Sequence, residues 1–240
     1  MEGIDTTTIR FGTYNINTFP KLGSVQSRRL RQEMQDLDCA GMSKLNKNWY
    51  KVNAQDSFRR RIDEWWIRHK TRHTWLRDFD WASEYPQGGV SILTIGGISE
   101  YSQEKGEDPS GLGQRCWQKL EGHSKTKTVV LQIYRPVKNT QDFGSTFIQQ
   151  RTTAGFLDPI TTFDKDFLQQ VNQFLMDDFQ LVRRGDFNTH LNRRGKLERE
   201  LDEQGIRDVI QSRYGREKAP NTHARGTKPI DGILASESIH

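Results

Sequence analysis

An α/β fold is what this sequence predicts, on three observations. Strand-length runs rich in β-branched residues recur, amphipathic stretches lie between them, and polar residues stand where the runs end. Ile9–Asn15 (IRFGTYN) reads as a strand, Arg28–Gln35 as a helix and Leu37–Met42 (LDCAGM) as a second short strand. Gly88–Ile95 (GGVSILTI) and Thr126–Tyr134 (TKTVVLQIY) follow as further strands, and Gly96–Gln114, with its glycines and charges, reads as a loop. Phe163, Phe167, Val171, Phe174 and Leu175 mark one face of a helix that Pro159 can open, because proline lacks only an amide that the first turn leaves unbonded. Phe179–Asp186 reads as a strand despite Arg183 and Arg184. Leu197, Leu201, Ile206, Val209 and Ile210 predict one or two helices broken at Gly205, and Ile230–Leu234 a last short strand. No linker rich in Pro, Gly or Ser divides the chain, so one domain is expected.

Composition bounds the partners. The 240 residues include 36 Lys+Arg against 31 Asp+Glu, and 33% are hydrophobic. No apolar run approaches the ~20 residues of a membrane helix, and the first ten residues hold no signal-peptide core. Cys39 and Cys116 form neither a disulfide framework nor a zinc cluster. The expectation is a soluble intracellular chain, cytoplasmic or nuclear, with no membrane partner and no protein partner indicated. Seven basic residues (Arg59, Arg60, Arg61, Arg68, Lys70, Arg72, Arg77) stand against Asp63 and Glu64, so this stretch alone equals the whole chain's net charge of +5. Mixed with Trp65, Trp66 and Trp75, it could face phosphates and bases, with Arg59, Arg60, Arg68, Lys70 and Arg72 as the contacts. The competing reading is an ordinary amphipathic helix, with His69 and His73 in it: Phe58, Ile62, Trp65 and Trp66 recur at helical spacing, with solvated arginines opposite.

Chemistry is sought at strand ends, where a side chain is held rigidly and the following loop leaves it open. Asn15 and Asn17 lie in TYNIN, Tyr134 in IYRPV, Asp186 and Asn188 in RRGDFNTH, and Asp231 in TKPIDGIL. Each alone is weak, since an Asn or Asp after a strand is most often a turn residue. Together they offer hard oxygen ligands and amide donors, which suit Mg²⁺ (or Mn²⁺) and a phosphate rather than a soft metal. No Ser-His-Asp set, nucleophilic cysteine signature or Walker loop can be assembled.

Taken in order, TYNIN, GGVSIL, VVLQIYRP, GDFN and RGTKPIDGIL resemble the endonuclease/exonuclease/phosphatase superfamily, from about Thr8 to the end of the chain. The AP-endonuclease-like branch, with the nuclease domains of non-LTR retroelements, is the most similar part. DPSGLGQRCWQKLEG and FIQQR resemble retroelement-type members, relatives in which a reverse transcriptase can follow. The resemblance implies a deoxyribonuclease-like four-layer α/β sandwich over residues 8–240, after a short extension of residues 1–7. Its two mainly antiparallel sheets would meet at one catalytic edge, with Mg²⁺-dependent hydrolysis of DNA phosphodiesters there. Carried over, Asn15 would position metal and phosphate, with Asn17 as a second polar residue. Tyr134 would bond the scissile phosphate, Asp186 would orient or deprotonate the attacking water, and Asn188 would contact the phosphate. Asp231 would orient a catalytic His.

Two departures temper the activity. The family's principal metal-binding Glu ends the second strand in a pattern like D-x-x-x-x-Q/S-E, and LDCAGMSK puts Lys44 there. Glu33 is no substitute, because RRLRQEMQD reads as a helix before that strand. An ammonium cannot polarise water as a divalent cation does. The family's closing Ser-Asp-His motif is also absent, so the resemblance implies a domain short of its last strands and of the His that pairs with Asp231. The expected function is therefore a Mg²⁺-dependent phosphodiester hydrolase by descent, impaired in this copy. The alternatives are a catalytically dead, retroelement-derived remnant that at most binds nucleic acid, and a phosphatase or sphingomyelinase-type phosphodiesterase.

Overall fold

The computed structural model describes residues 8–21, 23–49, 51–52, 57–75, 87–122, 126–141, 145–153, 155, 158–189, 195–215 and 230–239. Two sheets are stacked, with helices on both outer faces. The first has strand order β1-β2-β4-β3, from β1 (Phe11–Asn15), β2 (Cys39–Ser43), β3 (His69–Thr74) and β4 (Val90–Ile95). The second has order β5-β6-β7-β8-β10-β9, from β5 (Ser102–Glu107), β6 (Arg115–Glu121), β7 (Lys127–Tyr134), β8 (Gln180–Asp186), β9 (Ile206–Asp208) and β10 (Asp231–Ser236). Among the described residues only β1–β2 and β7–β8 pair in parallel. This is the predicted α/β sandwich with mainly antiparallel sheets.

Each parallel pair needs a helical crossover, and the sequence supplies one. Between β1 and β2 runs α1 (Val25–Met34), whose first turn is capped by Ser24 Oγ accepting from Ser27 N at 3.1 Å. α1 and α2 (Phe58–Trp65) cover the first sheet, burying Leu30, Met34, Phe58, Ile62 and Trp65 against Met42, Leu93 and Ile95. Between β7 and β8 lie α3 (Thr146–Thr153) and α4 (Pro159–Met176), with Asp158 capping the proline-led start of α4. Phe163, Phe167, Val171 and Phe174 of α4 close over Val129, Leu131, Ile133 and Leu181. Each such side chain contributes about 1.5–3 kcal/mol by leaving water. α5 (Lys196–Glu203) adds Leu197 and Leu201 to the same cluster, and α6 (Val209–Tyr214) follows β9.

Four expectations are corrected. Gly96–Gln114 is not a plain loop, since it contains a 3₁₀ turn at Gly96–Tyr101 and then β5, an edge strand (SQEKGE) mostly exposed and so without apolar alternation. His69 and His73 belong to β3 rather than to the basic helix, which ends at Trp65, and β3 (HKTRHT) hides because its half-buried positions carry polar and basic residues. Ile206 begins the short strand β9, while Val209 and Ile210 start α6 after the turn at Gly205. On α2, Arg59 and Arg60 are solvated as expected but Arg61 is buried, donating to the carbonyl of Pro20. Arg77 lies outside the described residues. Among the described residues no helix is long and apolar enough to cross a membrane.

The seam between the sheets is unusually polar. Beside Cys39, Ile92, Cys116 and Val130 it holds Gln132 and Arg184, both fully buried. Arg184 donates to the carbonyls of Cys39 at 2.5 Å and Gly12 at 3.1 Å, and Gln132 Nε2 donates to Ser43 Oγ at 2.8 Å. Gly41 makes room for this pair, because a β-carbon there would meet Gln132 Oε1 at 1.7 Å and Arg184 Nε at 2.8 Å.

A candidate phosphate edge with a lysine at its centre

Strand register brings the predicted residues together. Asn15 lies opposite Ser43, Tyr134 opposite Asp186, and Asp186 opposite Asp231. Residues directly opposite share a face. Asn15, Tyr134, Asp186 and Asp231 thus converge at one end of the seam, four elements meeting at one edge. Asn15 Nδ2 donates to Asp186 Oδ2 at 2.8 Å, a link across 171 residues of sequence.

Lys44 sits in the middle. It follows β2 directly, where strand alternation would send it to the outer face beside Met42. A left-handed φ of +56° breaks the strand there. The side chain instead reaches Asp186, Nζ to Oδ2 at 3.0 Å, and lies 5.5 Å from the centre of the Tyr134 ring. The turn is pinned from across the sheet: Asn46 N donates to Gly88 O at 2.8 Å and Gly88 N to Asn46 Oδ1 at 2.7 Å. Gly88 and Gly89 have φ of +100° and +82°, which side-chain-bearing residues rarely adopt.

Burial alone would lower the Lys44 pKa, but Asp186, then Tyr134 and Asp231, outweigh it and hold the ammonium above the ordinary lysine value. A nucleophilic, neutral amine is thereby excluded. Asp186 is 0% exposed; its Oδ1 accepts from Asn188 N at 3.0 Å, while its Oδ2 is taken by Asn15 and Lys44. Tyr134 is 4% exposed, and its hydroxyl is pushed above the usual phenol range by burial, against the pull of Lys44. Its hydroxyl therefore keeps its proton at neutral pH.

Asn188, at φ +48°, donates through Nδ2 to the carbonyl of Arg135 at 2.6 Å. Arg135 was not singled out from sequence, yet it positions this corner. Its guanidinium grips Asp164 of α4 with two bonds of 2.6 and 2.8 Å, and its amide donates to Asp186 O at 2.9 Å. Its only sequence signal is its place after Tyr134, before a proline. Asn17 stands apart at φ +46°, its Oδ1 accepting from Asn46 Nδ2 at 3.3 Å, and Glu33 lies on α1, where Arg29 pairs with it at 2.9 Å.

These donors do not fit a divalent cation. Asp186 has spent its second oxygen on an ammonium, and among the described residues no three His, Cys, Asp or Glu side chains could together hold a metal ion. Among the described residues His69 and His73 are on β3, away from Asp231; His190, His223 and His240 lie outside them.

No family model matches the sequence, and no curated protein does. Solved structures do match. An AP endonuclease, LMAP, from Leishmania major superposes with a TM-score of 0.65 at 11% identity, over 98% of this chain and 83% of that one. The 3′ phosphatase NExo from Neisseria, bound to product DNA hairpin, gives 0.60 at 15% identity, over 96% and 88%. The human Nocturnin catalytic domain gives 0.62 at 12%, over 95% and 83%.

The chain has the endonuclease/exonuclease/phosphatase fold. Within this fold family the neighbours span an endonuclease, a phosphatase and the Nocturnin domain, so architecture alone does not select a reaction.

Proposed function

We propose that this chain is a nuclease-type member of the endonuclease/exonuclease/phosphatase fold whose hydrolytic edge no longer works with a metal and instead engages nucleic acid without cutting it. The observation that carries the reading is the Lys44–Asp186 ion pair at 3.0 Å. It occupies the carboxylate that would otherwise orient water, and it fills the place of the divalent cation with a charge that cannot polarise water. The group at this edge that still reaches solvent to meet a phosphate is a donor, the Lys44 ammonium. DNA as partner is supported by the NExo complex with a DNA hairpin among the fold's neighbours. A retroelement origin is supported by DPSGLGQRCWQKLEG and FIQQR.

Nicking of supercoiled plasmid, with and without an abasic site, in Mg²⁺, in Mn²⁺ and in EDTA, tests the reading. The expected result is no nicking under any condition. Nicking that requires both a divalent ion and Asp186, lost in Asp186→Ala, overturns it. A second readout is independent of activity. The unmodified chain should show no Mg²⁺-dependent rise in its melting temperature, whereas Lys44→Glu, which restores a third carboxylate, should be stabilised by Mg²⁺.

A further inference from the structure

A second feature lies away from that edge. β3 borders the first sheet, two strands over from β2, which at sheet spacing is about 10 Å. Along it runs a groove of about 550 Å³ whose walls come from three elements. α2 brings Arg59 and Asp63, β3 contributes residues 69–73 and Trp75 beyond its end, and β5 of the other sheet brings Lys105 and Glu107.

Strand alternation sorts this lining by chemistry. Lys70 and Arg72 point to one side of β3, toward β5; His73 and Trp75 point to the other, toward α2. Lys70 Nζ donates to Ser102 O at 2.6 Å and Lys105 Nζ to Thr71 O at 3.2 Å, while Arg72 pairs with Glu107 at 3.0 Å. Among the described residues no carboxylate pairs with Lys70 or Lys105. The Lys105 pKa is lowered by burial first and then by Arg72, Arg59 and Lys70, as expected of cations crowded together. On the ring side, His73 is stacked on Phe58 at 4.4 Å and on Trp75 at 5.2 Å, within 15° of parallel to the latter. Burial, then Arg72 and Lys105, push the His73 pKa down to about 4, so its ring is uncharged at neutral pH.

We propose that the β3 groove binds single-stranded nucleic acid, with phosphates on Lys70, Arg72 and Lys105 and a base against the Trp75 ring that His73 backs. Cations on one side of a strand and a fixed aromatic stack on the other match a polymer with phosphates along one side and π-faces along the other. A duplex keeps its base faces stacked inside and offers the rings nothing. An acidic peptide would use the cations but leave the rings idle. The site does not depend on whether the edge around Lys44 hydrolyses.

Fluorescence anisotropy in EDTA tests it, with a labelled oligothymidine of about 20 nucleotides and a hairpin duplex of the same length, between about 50 and 200 mM salt. The single strand should bind roughly tenfold more tightly. Lys70→Ala/Lys105→Ala should weaken it roughly tenfold and flatten the log–log salt dependence by about 1.4, at 0.7 per lost phosphate contact. Arg60→Ala/Arg68→Ala removes the same charge outside the groove, from an exposed position on α2 and from an arginine paired with Glu100, and should cost roughly twofold or less. Trp75→Ala should lower affinity about fivefold without changing the salt slope. Equal losses from the two double variants, or equal affinity for duplex and single strand, overturn the proposal. Plasmid nicking reads the edge separately, so failure here and failure there are distinguishable.

Discussion

Lys44 and Arg183 are both cations taken out of water, one at the edge of the seam and one beneath α4. Lys44 has Asp186 at 3.0 Å and keeps a quarter of its side chain in solvent. Arg183 is fully buried over the Phe167 ring, and among the described residues none of its three guanidinium nitrogens has a hydrogen-bond partner. Their pKa values move in opposite directions: carboxylates hold Lys44 above its ordinary value, while burial pushes Arg183 down to about 9. A buried cation helps the fold only when its partner repays the loss of water. The Lys44 corner is built around its charge. The Arg183 site merely tolerates one.

The largest effect should come from breaking the paired case. Lys44→Met strands the buried Asp186 carboxylate, and a urea titration should show a loss of about 3 kcal/mol, the low end for one-sided removal because Lys44 is partly exposed. A near-neutral result would mean that the pair stabilises nothing. Arg183→Met should act in the opposite sense, raising stability by about 1–3 kcal/mol, since a thioether fills most of the same space without a charge. If this variant destabilises instead, Arg183 has a partner in solution and the contrast collapses.

The pH dependence sharpens the same comparison. Between the folded value of Arg183, about 9, and the higher ordinary arginine range, the unfolded chain binds the extra proton. Stability from this group therefore rises as pH climbs through that window. Lys44 has the opposite sign: its contribution is complete below the ordinary lysine value of 10.5 and is lost as pH rises through its higher folded value. Urea midpoints from pH 8 to 10 should thus climb more steeply for the unmodified chain than for Arg183→Met. An acid-side effect belongs to His73, another buried base. The unfolded chain takes up its proton near pH 6.5 and the folded chain near 4, so stability should fall by up to about 3 kcal/mol as pH drops through that interval. His73→Phe should flatten this acid limb; an unchanged slope would place the ring in water.

Much of the edge could be read before any coordinates, because strand ends deliver side chains predictably. Asn15, Tyr134, Asp186 and Asp231 meet as expected, and the register of β1, β2, β7, β8 and β10 is what joins them. The basic stretch was readable only as charge. Of its five expected contacts, Arg59, Lys70 and Arg72 line the β3 groove, whereas Arg60 and Arg68 do not, and Lys105 arrives from another sheet. β3 and β5 escaped notice because both edge strands are built of polar and basic residues and so show no apolar alternation. Arg183 and Arg184 read as anomalies in a core strand, and they are: both are buried, one partnered by carbonyls and one by a ring alone.

By itself the sequence determined the α/β alternation, the helix faces and the identity of the edge residues, since periodicity and strand-end placement are local properties of a chain. It also placed a lysine where the resemblance expects a glutamate. Only the tertiary structure decided what that lysine does. A left-handed turn at Lys44 aims the ammonium at an aspartate more than a hundred residues away, and an ion pair depends on distances that composition and spacing do not contain.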